Sequence, residues 1–175
     1  MGMGDYGSHF PILATAVART VGPVLELGCG DWSTPMLHYM CKNRYLLSAD
    51  GDLEWLRKFA GGYSCPRRHE FRHVPNWEQW TALEDLHWSV ALVDCAPGEE
   101  RWKLIKRLAH RCMYIVAHDS ETDYKSGGNY QYDKIIPLFE YVSEFCRFRP
   151  YTLVLSNERE FGIEECDKTW KPPKS

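Results

Sequence analysis

Apolar positions along this chain switch between a helical and an extended period, and the two alternate from one end to the other. Phe10, Leu13, Ala14, Val17 and Ala18 recur at helical spacing, with Ser8 placed as N-cap and Pro11 in the tolerant first turn. Val24 to Leu27 is a short apolar strand that stops at Gly28. Ser33 or Thr34 then caps a helix with Pro35 in its first turn and Met36, Leu37, Met40 and Cys41 on one face. A second strand, Tyr45 to Ala49, leads to Asp50, and Asp52 caps a helix through Phe59 that Gly61 and Gly62 stop. Glu70 to Val74 reads as a third strand, followed by a Trp-rich segment from Trp77 to Leu83. Ser89 to Val93 is the clearest buried strand and ends at Asp94. Glu99 to His110 reads as a helix with Leu104, Ile105, Leu108 and Ala109 inward, its acids early and its bases late, as the helix dipole favours. Met113 to Ala117 is a fifth strand ending at His118 and Asp119. A polar loop, Ser120 to Gln131, precedes a helix over Asp133 to Phe145 that Pro137 delays or kinks. Strands near Arg147 to Phe148 and Tyr151 to Leu155 close the pattern.

Alternating helix and strand predicts an α/β fold, a parallel sheet wrapped by helices. The chain of 175 residues shows no repeat, linker or composition break, so one domain is expected over 1–175, with a core over about 8–156 and a tail over about 157–175.

Composition narrows the function classes. Hydrophobic residues make up 44% and charged residues 26%, an ordinary globular balance. The net charge, 21 − 24 = −3, disfavours nucleic acid as the main partner, since a chain that grips phosphate backbone usually carries a basic surplus. No apolar run approaches the roughly 20 residues of a membrane span. The start lacks a signal-peptide pattern, and Tyr6 stands where a myristoylation site wants Ser or Thr. Seven cysteines, an odd number with no C-x-x-C pair, give no support to a zinc site or a redox dithiol. A reducing, cytoplasmic setting is the expectation.

Candidate chemistry collects where strands end. In Gly28-Cys29-Gly30-Asp31-Trp32-Ser33 the glycines allow close backbone approach, and the helix that follows presents free N–H groups to a ligand. The dinucleotide fingerprint wants a third glycine where Ser33 stands. Asp50 lies 22 residues beyond Gly28, the spacing at which a carboxylate meets ribose hydroxyls. Asp94 and Asp119 end neighbouring strands on the ligand rim, where two carboxylates can hold a divalent cation. His118 has the reference pKa of a general base near neutrality. Arg101 pairs either with an acidic substrate group or with Asp94. Tyr124, Tyr130 and Tyr132 are placed to stack on a sugar or aromatic acceptor, or to lie on the surface. His9 and His73 read as structural.

The run Val24-Leu25-Glu26-Leu27-Gly28-Cys29-Gly30 resembles the first motif of class I S-adenosylmethionine (SAM)-dependent methyltransferases, usually V-L-E-x-G-x-G. The order of elements resembles that family from about Ser8 to Leu155. The resemblance implies a Rossmann-like three-layer sandwich with a seven-stranded, mostly parallel sheet and one antiparallel strand. It implies that Glu26, Gly28, Cys29 and Gly30 surround the amino-acid part of SAM, that Asp50 holds its ribose, that Asn76 and Trp77 lie beside the adenine, and that Asp94 lies near the methyl group. Catechol O-methyltransferase-like enzymes hold Mg²⁺ with an acid after the fourth strand and Asp-Asn after the fifth. Here Asp94 and Asp119 take those places, but Ser120 replaces the asparagine and Pro97 stands where the lysine base would be. Val93-Asp94-Cys95-Ala96-Pro97-Gly98, Arg101 and His118-Asp119 are similar to glucuronoxylan 4-O-methyltransferase-like sugar methyltransferases. The expectation is O-methylation of a small-molecule or carbohydrate acceptor, with His118, Asp119 and Asp94 catalytic and Arg101, Tyr124 and Tyr130 facing the substrate. The Asp/Asn-Pro-Pro-aromatic motif of nucleic-acid amino-methyltransferases is absent after Asp94. Two rivals remain: a SAM-binding subunit without methyl transfer, and a nicotinamide-dependent oxidoreductase, against which Ser33 argues.

Overall fold

The inner apolar runs become strands because they are buried on both faces, as in a sheet covered by helices. The computed structural model describes residues 7–121 and 130–162. Within them the strands are β1 (Val24–Leu27), β2 (Leu46–Asp50), β3 (His69–His73), β4 (Trp88–Val93), β5 (Cys112–His118), β6 (Tyr141–Phe145) and β7 (Thr152–Ser156). They form a seven-stranded sheet in the order β3-β2-β1-β4-β5-β7-β6. Strand β7 runs antiparallel to both of its neighbours, and the other pairings are parallel. Strand β1 pairs with β2 on one side and β4 on the other, so the connections diverge there and open a crevice at the carboxyl edge.

Helices α1 (Phe10–Ala18), α2 (Ser33–Met40), α3 (Leu53–Tyr63) and α4 (Arg101–Leu108) flank the sheet. Strand alternation splits the core in two. Val24, Val90, Leu92, Tyr114 and Val116 pack with Leu13 and Val17 of α1 and Leu37 of α2. Leu25, Leu27, Ala91, Val93, Ile115 and Ala117 pack with Leu104, Ile105 and Leu108 of α4. Each fully buried Leu or Ile contributes roughly 1.5–3 kcal/mol of transfer free energy. No helix among the described residues is long and apolar enough to cross a membrane.

The structure departs from the sequence pattern in four places. Asp133 to Phe145 is not a helix: 3₁₀ turns at Tyr132–Lys134 and Ile136–Leu138 lead into β6. Pro137 removes an N–H, and Tyr141 to Phe145 finds a ladder on β7. Strand β6 therefore comes earlier than Arg147 to Phe148, which lie in the turn before β7. Helix α3 continues through Gly61 and Gly62 to Tyr63, whose packing on the Leu56–Phe59 cluster outweighs a glycine cost of about 1 kcal/mol each. Helix α4 is shorter than Glu99 to His110 and begins after a 3₁₀ turn at Gly98–Glu100. Neither Ser8 nor Ser33 or Thr34 acts as an N-cap; the cap positions are His9 and Trp32, without side-chain bonds. Asp52 does cap α3, accepting from the N–H groups of Glu54 and Trp55.

Candidate functional site

The glycine turn after β1 is held on three sides. Gly28 has φ +96°, and a Cβ there would stand 2.5 Å from the Asp94 carbonyl oxygen. Its glycine is required by the end of β4 packing against the turn, beyond any ligand. The Cys29 N–H donates to Asp50 Oδ2 at 2.8 Å, and the Asp52 N–H donates to Asp50 Oδ1 at 2.9 Å. Trp55 Nε1 donates to the Cys29 carbonyl at 2.7 Å. The Gly30 N–H donates to Thr34 Oγ1 at 3.0 Å, and Thr34 Oγ1 donates to Glu26 Oε1 at 2.9 Å.

Glu26 is fully buried, and Ser48 Oγ donates to its other oxygen at 2.5 Å. Burial pushes its carboxyl up to about 7, against the hydrogen bonds of Ser33, Ser48 and Thr34. Glu26 thus braces the turn, with each carboxylate oxygen accepting from a neighbouring hydroxyl. Asp50 ends β2 partly exposed; burial raises its pKa, opposed by the N–H groups it accepts from.

Beside this turn, beyond the ends of β2, β3 and β4, lies a cavity of about 560 Å³. Gly51 to Glu54, Pro75, Trp77, Ala96 and Pro97 line it. Trp77 is both core and wall: it is 4% exposed and its Nε1 donates to the Ala96 carbonyl at 3.0 Å. Asn76 is exposed and lies outside the lining; its Oδ1 accepts from the N–H groups of Glu78 and Gln79, so it caps a turn.

The expected acceptor residues meet at the ends of β4 and β5. The Arg101 guanidinium spans the two acids, with Nη2 2.9 Å from Asp94 Oδ1 and Nη1 2.8 Å from Asp119 Oδ2. Its Nε donates to the Cys95 carbonyl at 2.8 Å. Of the two partners left open for Arg101 in the sequence, the structure gives it Asp94, and Asp119 as well. The gap between Asp94 and Asp119 therefore holds a cation already and does not fit a metal ion. Asp119 has φ +60°, a left-handed conformation that aspartate tolerates better than most residues. The Tyr130 ring lies 4.4 Å from the guanidinium and stacks on Tyr132. Burial raises the Tyr130 hydroxyl to about 12. Tyr132 is fully buried and donates to the His118 carbonyl, so it is core rather than acceptor surface. Ser120 is turned away from the cluster and donates to Glu144 Oε1 at 2.9 Å. Tyr124 lies outside the described residues.

His118 is 3% exposed, and both of its ring nitrogens are engaged. Nε2 lies 2.9 Å from Ser8 Oγ; Nδ1 lies 3.2 Å from Asp94 Oδ1 and 3.5 Å from Asp119 Oδ1. Burial pulls its pKa down, but the hydrogen bond and charge of Asp94, with the charge of Asp119, raise it overall. Asp94 moves the opposite way: burial would raise it, and His118 and Arg101 bring it below the usual carboxylate value. The two carboxylates keep more surface, 24% and 17% of their side chains, than Arg101 at 8%.

Two residues here escaped sequence reasoning. The sequence pattern gives Ser8 as a cap and His9 as structural; the structure packs both against His118. The one signal was a polar pair directly ahead of an apolar helix. Burial first, then the charge of His118, lowers His9 to about 4. His73 remains outside the cluster, with Nε2 3.1 Å from the Gly51 carbonyl.

No family model matches the sequence, and no curated protein matches it. Solved structures do. The chain is similar to the human methyltransferase 10 domain containing protein, with 17% identity over 86% of this chain and 81% of that one, and a TM-score of 0.57. It is similar to the N-methyltransferase NodS from Bradyrhizobium japonicum WM9, with 11% identity over 84% and 91%, and a TM-score of 0.57. It is similar to the human METTL16 catalytic domain in complex with MAT2A 3′UTR hairpin 1, with 12% identity over 96% and 74%, and a TM-score of 0.60. At such identities the likeness is one of fold: this chain has the class I SAM-dependent methyltransferase fold.

Proposed function

We propose that this chain is a SAM-dependent methyltransferase that methylates an oxygen of a small-molecule or sugar-like acceptor. The observation that carries the reading is the open cavity beside the Gly28–Gly30 turn and Asp50, at the point where the sheet connections diverge. The residues present fit the cofactor. The turn would take its amino-acid part, Asp50 would accept from its ribose, and Leu53, Pro75 and Trp77 would enclose its base. When bound, SAM supplies an electrophilic methyl group on a sulfonium.

The protein's part in the chemistry is to present the acceptor and receive its proton. Asp94 Oδ1 is occupied by Arg101 and His118, which leaves Oδ2 to accept from an acceptor hydroxyl and take its proton as the carbon–oxygen bond forms. Arg101 and His118 fix the carboxylate, and holding the attacking oxygen in line lowers the entropic barrier. His118 is then a positioning residue rather than the general base, because it is buried, its Nε2 is tied to Ser8 and its Nδ1 is turned to Asp94. Tyr130, stacked on Arg101, borders the acceptor side. A net charge of −3 and Asp94-Cys95-Ala96-Pro97 after β4 favour a small oxygen acceptor over the nucleic acid that accompanies the METTL16 neighbour.

Calorimetric titration with SAM, S-adenosylhomocysteine and NAD tests the cofactor half. Both adenosyl ligands should bind one site. Asp50→Ala should weaken them about 10- to 100-fold, as a hydrogen bond to a charged group worth about 1.5–3 kcal/mol implies. Binding of NAD alone, or of no ligand by the folded protein, would overturn the proposal. Labelled SAM with sugars, phenols, amines and RNA tests the acceptor half; transfer only to RNA or to amines would refute the oxygen assignment.

A further inference from the structure

One buried polar side chain at the acceptor edge has nothing to bond. His9 directly precedes α1 and is 2% exposed, yet among the described residues neither Nδ1 nor Nε2 has a hydrogen-bond partner. Its ring stands edge-on to His118, with centroids 4.6 Å apart and planes at 71°. Native proteins pair nearly all such groups, and an orphaned one points to a missing ligand or ion.

The neighbouring histidine is oriented as a metal ligand would be. Ser8 Oγ donates its one proton to the Pro150 carbonyl at 2.6 Å, so it accepts from His118 Nε2. That fixes Nε2 as a donor and aims Nδ1 at the acids, 3.2 Å from Asp94 Oδ1. An outer hydrogen bond of this kind sets the tautomer of metal-bound histidines. One ligand atom each from His9, Asp94 and His118 lie within 4.8 Å of one another. Ligands at about 2.0–2.2 Å from an ion stand up to about 4.4 Å apart, so small side-chain movements close the site.

We propose that His9, Asp94 and His118 bind a divalent transition ion of the zinc, cobalt or iron class. Two imidazoles with one carboxylate suit these ions better than Mg²⁺ or Ca²⁺, which prefer oxygen throughout. Asp94 and Asp119 bring two negative charges and Arg101 one positive, which leaves one negative charge to meet the ion. Arg101 hydrogen-bonds the ligating carboxylate. The ligands come from the start of α1 and the ends of β4 and β5, so the ion ties α1 to the rim of the sheet. Its place beside the acceptor rests on the methyltransferase reading; the ligand set does not. In that place it would act as a Lewis acid on the acceptor oxygen.

The test is titration of the metal-free, untagged full chain with Co²⁺ alone, followed by visible absorption, with Zn²⁺ as competitor and Mg²⁺ as control. One equivalent should develop ligand-field bands that Zn²⁺ abolishes and Mg²⁺ does not. His9→Ala and His118→Ala should lower affinity at least 100-fold, and Ser8→Ala about 10-fold, as for an outer partner. His38→Ala, which breaks the other close histidine pair (His38 and His69, Nδ1 to Nδ1 3.0 Å), should change nothing. His9→Phe fills the same space without nitrogens and keeps the experiment decisive if the alanine variant melts early. Absence of saturable Co²⁺ bands in folded protein, or unchanged affinity in His9→Phe, would overturn the proposal. SAM titration of the same samples reads the methyltransferase proposal separately, so either can fail alone.

Discussion

Glu26→Gln should stabilise the protein at alkaline pH, and by an amount the structure sets. Glu26 has no exposed surface, and burial raises its carboxyl from 4.5 to about 7. Below pH 4.5 both the folded and unfolded chains hold this proton, and it contributes nothing to pH dependence. Between 4.5 and about 7 the unfolded chain releases the proton while the folded chain keeps it, so stability falls as pH rises. Above about 7 the folded chain ionises too, and the loss is complete. Moving from 4.5 to about 7, at about 1.4 kcal/mol per pH unit, amounts to about 3–4 kcal/mol.

Glutamine removes that charge but must donate from one side. Ser48 can accommodate it, because its hydroxyl can turn from Glu26 to His69 Nε2, 2.9 Å away. Burial holds His69 near 3, so it is neutral and able to accept. The reversed chain ends at His38, which is partly exposed and can rearrange toward water. The expected gain above pH 7 is therefore about 1–3 kcal/mol, or a melting point higher by about 2–10 °C. Urea unfolding of both proteins from pH 5 to 8.5 measures it. Other groups titrate equally in both, so the quantity to read is the difference. It should widen as pH rises and level off near pH 7.5. A difference that stays flat across this range, or shrinks with pH, refutes the reasoning.

The two turn glycines should separate stability from binding. In Gly28→Ala the new Cβ meets the backbone of Asp94 and Cys95 at positive φ, for a loss of about 4 kcal/mol in urea unfolding. In Gly30→Ala it meets only the Ser33 hydroxyl at 3.0 Å, so stability should move by about 1 kcal/mol or less while SAM affinity drops; the reverse order would sink the assignment. Arg101→Met leaves Asp94 and Asp119 facing each other without their cation, and urea unfolding should register a loss of about 3–5 kcal/mol. A loss under about 1 kcal/mol would mean that water already screens the pair.

The sheet was legible because its inner strands are apolar runs too short for helices, and because Gly28, Asp50, Asp94 and Asp119 mark where they end. The segment from Asp133 to Phe145 was not. Ile135, Ile136, Phe139, Val142 and Phe145 fit a helical spacing as well as an extended one. The decision went to a long-range partner, β7, that no local pattern contains. The bracing role of Glu26 was hidden for a related reason. An acid in a glycine motif reads as a ligand contact, and only the fold brings Ser48 and Thr34 to both of its oxygens.

The site divides along the same line, and strand parity explains how. On β4 and β5 the even positions Val90, Leu92, Tyr114 and Val116 face the layer of α1 and α2. Continuing that alternation carries His118, and Asp94 just past its strand, toward the same layer. A polar residue on that face at the carboxyl edge must find a polar partner or lose stability. The sequence contains this requirement. It does not say which helix covers the edge, because Ser8 and His118 are separated by 110 positions and meet only after α1 docks. Once α1 packs through Leu13 and Val17, the residues before its first turn have nowhere to go but against His118. Ser8 meets the demand for a hydrogen bond and His9 does not, which makes His9 the residue whose presence packing alone leaves unexplained.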